Sequence, residues 1–290
     1  MWKAFGGVQP THLEMSAGWD EESHFSGLEA VSPPWPLKSM YYRAYIGPGS
    51  WSTPEESLPT FPACYAGLET LVLDCVDSIS LYYYPKGGAT NLRSLTVVRN
   101  DAIGTFAHTV ACNPKMLATL RSVTISPSPG YWHDVEDFPI MKSFFHGSQA
   151  LTHLELAILG DGYDMLPEAD ANETPNPFDY LPYLGLYDHF PSSLRSLSFR
   201  GPPNTYMFND LDKWIAKAND PRWLPDLREF AVSLVRESSN SAEAGAPEVE
   251  QAQIDGKMAE LLAAMKRNRP ALKIQEPRPL DEVEYPRPVS

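Results

Sequence analysis

Cysteine is scarce in this chain: three in 290 residues, Cys64, Cys75 and Cys112, an odd number without close pairing. That excludes the disulfide framework of a small secreted domain, and none of the three has a partner at zinc-ligand spacing. Long hydrophobic runs are missing as well. Nothing approaches the roughly 20 apolar residues of a membrane span, and residues 1–7 carry no apolar run of signal-peptide type. The expectation is an intracellular chain, cytoplasmic or nuclear, with reduced thiols. Positive charge is in deficit: 23 Lys and Arg face 37 Asp and Glu, a net charge of −14, with a sequence pI of about 4.9. A nucleic-acid-binding surface needs a basic face, and docking on anionic lipid needs one too. Neither nucleic acid nor membrane is therefore expected as a partner.

Catalytic and phosphate-binding motifs are also wanting. There is no G-x-S-x-G; Gly49-Ser50 and Gly147-Ser148 lack the second glycine. His146 lies close to Ser148, but near neighbours along a chain seldom face each other. Gly87-Gly88 has no Lys-Ser/Thr pair after it and reads as a turn. The expectation is a protein that is not an enzyme and needs no cofactor or metal.

What the chain does have is a recurring segment. Leu92-Arg93-Ser94-Leu95-Thr96-Val97-Val98-Arg99-Asn100 reads L-x-x-L-x-L-x-x-N. Residues 95 and 97 would face one way and 94, 96 and 98 the other, as in a strand with one buried and one wet face. The spacing returns at Leu68-Leu71-Leu73, Leu120-Val123-Ile125, Leu151-Leu154-Leu156, Leu194-Leu197-Phe199 and Leu227-Phe230-Val232. Looser copies are Pro10-Leu13-Met15 and Leu37-Met40-Tyr42, and Leu272-Lys273-Ile274 is a candidate last strand. Steps run from 24 residues (Leu71 to Leu95) to 43 (Leu154 to Leu197), so several turns carry insertions. The closing Asn occurs only at Asn100; its slot elsewhere holds Val76, Ser128, Leu159, Pro202 or Val235.

Between the strands, helical spacing is expected over Ala102 to Leu117, with Asp101 as N-cap and a break near Asn113-Pro114. Pro139 to Phe145, Asn209 to Ala218 and Ile254 to Asn268 also suit helices, with Lys266, Arg267 and Arg269 at the negative end of the last dipole. Residues 157–193 form the largest insertion. From Gly160 to Ser193 it has seven acids, five prolines and no Lys or Arg. Its first half is expected to be mobile, and its second half, Phe178 to Leu184, aromatic enough to pack back. Residues 236–250 show no apolar period and are expected to be a disordered loop; 276–290 is a flexible Pro-rich tail. The domain is thus 1–275. The acids Asp161, Asp164, Glu168 and Asp170 could ligate calcium, but their spacing does not match a D-x-D-x-D-G loop, and a solvated loop is the favoured reading.

The Leu-Arg-Ser-Leu units, the uneven repeat length and the joint Trp223-Leu224-Pro225-Asp226-Leu227-Arg228 resemble fungal leucine-rich-repeat proteins, over roughly residues 8–275 by pattern. Many of these carry an N-terminal F-box. The resemblance implies an α/β solenoid, with a curved parallel sheet on the concave side and irregular helices and loops on the convex side. In F-box members, the F-box binds the Skp1 adaptor of a cullin ligase and the repeats hold a substrate for ubiquitin transfer. No F-box-like stretch precedes the first repeat here, so the resemblance implies the substrate-side half.

In such a horseshoe, every second strand residue lines the concave face. The candidate partner-binding residues are Tyr41, Arg43, Asp74, Ser94, Thr96, Ser122, Thr124, His153, Glu155, Ser198 and Arg200. The centre of this face is small and hydroxylated. Tyr41, Arg43 and Arg200 are the favoured anchors, because hot spots prefer Tyr, Trp and Arg. His12 and His153 stand at equivalent places in Thr-His-Leu triplets, with a solvent-facing role favoured over recognition. The expected function is non-catalytic protein binding, with substrate recognition for ubiquitin ligation as its specific form. The alternatives are a hydrolase with an unrecognised site, and a structural scaffold or truncated gene product.

Overall fold

The recurring apolar triplets become strands. A computed structural model of the chain describes residues 9–17, 35–44, 67–74, 91–99, 101–128, 137–158, 183–234 and 249–276. Within them lie β1 (His12–Ala17), β2 (Ser39–Ala44), β3 (Thr70–Asp74), β4 (Ser94–Val98), β5 (Ser122–Ser126), β6 (His153–Ala157), β7 (Ser196–Gly201), β8 (Glu229–Leu234) and β9 (Lys273–Gln275). They form one open sheet, ordered β1 to β9 as in the chain, and every neighbouring pair is parallel. The order is compatible with a solenoid, in which each turn of chain stacks on the one before. The looser copies at β1 and β2 and the short last strand all take their places in it.

Register follows the leucines. Leu71 pairs with Leu95, Leu95 with Val123, Val123 with Leu154, Leu154 with Leu197, and Leu197 with Phe230. A slip of one residue would turn this apolar row to the other face, so burial holds the register. All six side chains are buried in one continuous core.

Helices cover that apolar face. They are α1 (Ala102–Cys112), α2 (Met116–Thr119), α3 (Asp137–Gly147), α4 (Thr205–Ala218) and α5 (Gln251–Asn268) among the described residues. Asp101 caps α1 as expected, its Oδ1 accepting from the Gly104 N–H at 2.9 Å, and the helix ends before Pro114. The fourth helix starts four residues earlier than its apolar stripe predicts, because the Asn204 side chain accepts from the Met207 N–H at 2.9 Å and opens it there. The third runs Asp137–Gly147 instead of 139–145, and the fifth starts at Gln251. Aromatic rings tie the helices together. Phe106 of α1 meets Phe144 of α3 edge-on at 5.3 Å, Phe145 meets Phe190 at 6.3 Å, and Phe190 meets Trp214 of α4 at 5.6 Å. Such pairs contribute about 0.5–1.5 kcal/mol each beyond their buried area.

Of the stretch Phe178 to Leu184 expected to pack back, Tyr183 and Leu184 are described, and both are buried in the core. Leu186, Tyr187 and Phe190, which follow it, are buried there too. The expected mobile half, the calcium candidates Asp161, Asp164, Glu168 and Asp170, and almost all of the 236–250 loop and the 276–290 tail lie outside the described residues, as do Cys64 and Cys75. Cys112 is a free thiol. No helix among the described residues is long and apolar enough to cross a membrane.

Arg269 does more than suit a helix dipole. Only 7% exposed, it donates to three backbone carbonyls of the preceding joint: Leu224 at 3.1 Å, Asp220 at 3.5 Å, and Trp223. Leu224 itself has φ of +49°. One guanidinium with five N–H groups thus holds a strained turn that α5 packs beside.

Candidate functional site

All eleven predicted surface residues lie on the sheet face away from the helices, because they alternate with the buried apolar row. The structure divides them into two groups and leaves three apart.

The first group is a groove of about 250 Å³ over β5 to β9. Its walls include Ser122, Thr124, His153, Glu155 and Ser198 from the predicted set, with Ser196, Glu229, Gln275 and Glu276 besides. Parallel pairing sets His153 beside Ser122 and Ser196, and Glu155 beside Thr124 and Ser198. Short hydroxyl side chains leave the space; Glu155, Glu229 and Glu276 give it negative charge. Oxygen acceptors and hydroxyls of this kind take up a donor-rich partner, such as a lysine, an arginine or exposed backbone N–H groups. His153 is exposed, its Nδ1 2.9 Å from the Thr152 hydroxyl.

The second group centres on Asp74, which is fully buried. Its carboxylate accepts from the Tyr41 hydroxyl at 2.6 Å and from Arg99 Nη1 at 2.9 and 3.0 Å. Arg43 Nε stands 3.6 Å away. Tyr41 and Arg43, favoured anchors on sequence grounds, are thus engaged with this aspartate. Arg99 was not foreseen. Strand alternation would point it into the core, but its φ of +66° breaks the alternation and brings it back over β3. No local signal announces that turn beyond the Asn100 that follows.

Ser94, Thr96 and Arg200 lie outside both groups. Arg200 is 8% exposed and Thr96 9%, so neither is an open anchor. The sheet's wet side is narrower than strict alternation predicts. Val72, Val98 and Ala157 are buried on this face yet stand apart from the core cluster. Strands covered on both faces lose their alternation, and here they do so towards their C-terminal ends.

Ionisable groups, buried at Asp210 and half-buried at Lys142 and His189, also gather on the helical side. The Asp210 carboxylate takes the Gly185 N–H at 3.2 Å and the Trp214 indole N–H at 3.3 Å. Burial pushes its pKa up, against these bonds and the nearby Lys213 and Lys142. Lys142 donates to the Leu184 carbonyl at 3.0 Å; burial pulls its ammonium pKa down. His189 is lowered by burial and by Lys142. These groups pin residues 183–190 onto α3 and α4. The pair His146 and Ser148 does not converge: the buried Ser148 hydroxyl donates to the Leu117 carbonyl at 3.4 Å, while His146 faces the His189 ring at 6.3 Å. Among the described residues no three His, Cys, Asp or Glu side chains gather as a metal site would require.

Compared with known proteins, the chain matches no family model, and no curated protein matches it.

Proposed function

We propose that the chain is a leucine-rich-repeat solenoid that binds another protein on the sheet face away from the described helices, with the groove over β5 to β9 as the centre of contact. One observation carries the reading: in the open part of the sheet the small hydroxyl residues of β5 and β7 stand on either side of His153 and Glu155 of β6, with Glu229 of β8 beyond. Small side chains admit a partner close to the sheet, and regularly spaced hydroxyls match a chain's own donors and acceptors. Among the described residues, the groove's His153 has its Nδ1 2.9 Å from the Thr152 hydroxyl, and this supports recognition over hydrolysis. A role in ubiquitin ligation rests on the resemblance of the Leu-Arg-Ser units alone.

Affinity purification of the tagged chain from its native cell tests this. A stoichiometric protein partner is expected. Recovery of the Skp1 adaptor and cullin with it assigns the ligase role. A hydrolytic activity abolished by replacing one Ser or His would replace the proposal.

A further inference from the structure

The strands are entered through one equivalent position in each repeat. The Lys38 carbonyl accepts from Glu69 N at 2.8 Å and Thr70 N at 3.0 Å; Glu69 does the same for Arg93 and Ser94, Arg93 for Arg121 and Ser122. The ladder continues through Arg121, Thr152 and Arg195, and Arg228 passes it to Lys273 N at 2.8 Å. Because the backbone fixes these positions as rungs, their side chains form a row along the strand-start edge of the sheet. The row contains Arg93, Arg121, Arg195 and Arg228, all exposed.

Some exposed cations of this acidic chain find acids, Lys38 with Glu69 at 2.9 Å, Lys217 with Asp188 at 2.6 Å and Arg222 with Asp220 at 3.1 Å; what sets the arginines of the row apart is that the strand order holds them side by side. Within the row, Glu69 is occupied by Lys38, whose ammonium holds its carboxyl below the usual range, with Arg93 adding a little. Among the described residues, no carboxylate pairs with Arg121, Arg195 or Arg228. Neighbouring strands lie about 4.8 Å apart, so Arg93 to Arg228 spans four steps, about 19 Å, the reach of about six extended residues. Four like charges held that close repel each other, and a line of carboxylates would relieve the repulsion.

We propose that this edge docks an extended acidic peptide segment of another protein, lying across the strand starts with carboxylates against the four guanidiniums. Arginine suits that role because its fork meets a carboxylate in two bonds. A nucleic acid is disfavoured: the net charge of −14 repels a long polyanion, whereas a short acidic segment with neutral flanks meets only the edge. The proposal depends on the strand order and not on the groove.

Fluorescence anisotropy on the full chain tests it, with a fluorescein-labelled Glu-Ser-Glu-Ser-Glu-Ser peptide as probe. A Lys-Ser peptide and a six-nucleotide thymidine strand serve as controls. The acidic peptide should bind at low ionic strength and weaken as the Debye length falls from about 30 Å to about 8 Å. The variant with Arg93→Gln, Arg121→Gln, Arg195→Gln and Arg228→Gln should bind at least tenfold more weakly, the order that four exposed ion pairs supply together. Its circular dichroism and melting should stay those of the parent, since all four side chains are exposed. Replacing Lys115 and Lys266 by Gln, away from the row, should change nothing. No binding at low salt, equal binding by the fourfold variant, or preference for the oligonucleotide would overturn the proposal. So would arginine-dependent dimerisation in sedimentation velocity.

Discussion

Arg99 reaches back from the end of β4 and donates to the Asp74 carboxylate of β3 at 2.9 Å. The bond ties two successive turns of chain at the exits of their strands, and Tyr41 from the turn before reaches the same carboxylate at 2.6 Å. Three repeats are thereby joined at one buried acid. The two arginines remain partly open, at 42% and 39% side-chain exposure, so solvent screens part of the attraction.

Asp74→Ala removes the common acceptor and leaves Tyr41, Arg43 and Arg99 to find others. The expected loss is about 2 kcal/mol, from hydrogen bonds to a charged group discounted for the exposure of the arginines. Urea unfolding measures it. Arg99→Ala, made at the more exposed end, should lose less. Equal stability of Asp74→Ala and the parent would show that the cluster does not hold the repeats.

Arg269→Lys should destabilise by about 2 kcal/mol although the charge is kept. A single ammonium cannot reach the Asp220, Trp223 and Leu224 carbonyls together, and buried acceptors left unmade cost about 1–3 kcal/mol. Thermal unfolding reads the change. A neutral result would mean that the joint at Trp223–Leu224 keeps its shape without the guanidinium.

Gly104→Ala tests helix α1. Alanine is worth up to about 1 kcal/mol over glycine in a helix interior. Here an added Cβ would overlap Asp101 Oδ2 and stand 2.7 Å from Asp137 Oδ2, both on buried residues. Asp101 would have to leave its capping position, at about 1 kcal/mol for the lost cap and more for the displaced carboxylates. The variant is expected to be less stable than the parent. A gain in stability would show that both acids have room to move.

Asp210→Asn should make stability less dependent on pH. Burial raises the folded pKa of Asp210 above its ordinary 3.8. Between the unfolded and folded values, the native state holds a proton that the unfolded chain has released. Stability therefore falls as pH rises through that window and stays lower above it. Asparagine keeps an acceptor for Gly185 and Trp214 without the buried charge. The variant's advantage over the parent should grow as pH rises through the window. An advantage confined to acid, or a loss at neutral pH, would mean that Lys142 and Lys213 outweigh the burial.

Strand order and core register were legible because one spacing repeats: Leu71, Leu95, Val123, Leu154, Leu197 and Phe230 occupy one row. The groove's hydroxyls were legible for the same reason, since alternation sets Ser122, Thr124 and Ser198 opposite that row. Arg99 was not, because a positive φ reverses the alternation that places every other residue. The burial of Arg200, 8% exposed, was not legible, because alternation gives the face and says nothing of what covers it. Asn204 was missed because a cap lies ahead of the apolar stripe that marks its helix. The arginine row was written in the Leu-Arg-Ser units, but only the paired backbone shows those arginines to be adjacent rungs.

The most direct test of a recognition surface on the face away from the described helices compares partner capture by three forms of the chain. These are the parent, a variant with Thr124→Arg and Ser198→Arg filling the groove, and a variant with Ala216→Arg on the exposed side of α4. All three should melt alike. The parent and the α4 variant should retain the same partner, and the groove variant should lose it. Retention by the groove variant, or loss from the α4 variant alone, would contradict the placement of recognition on that face.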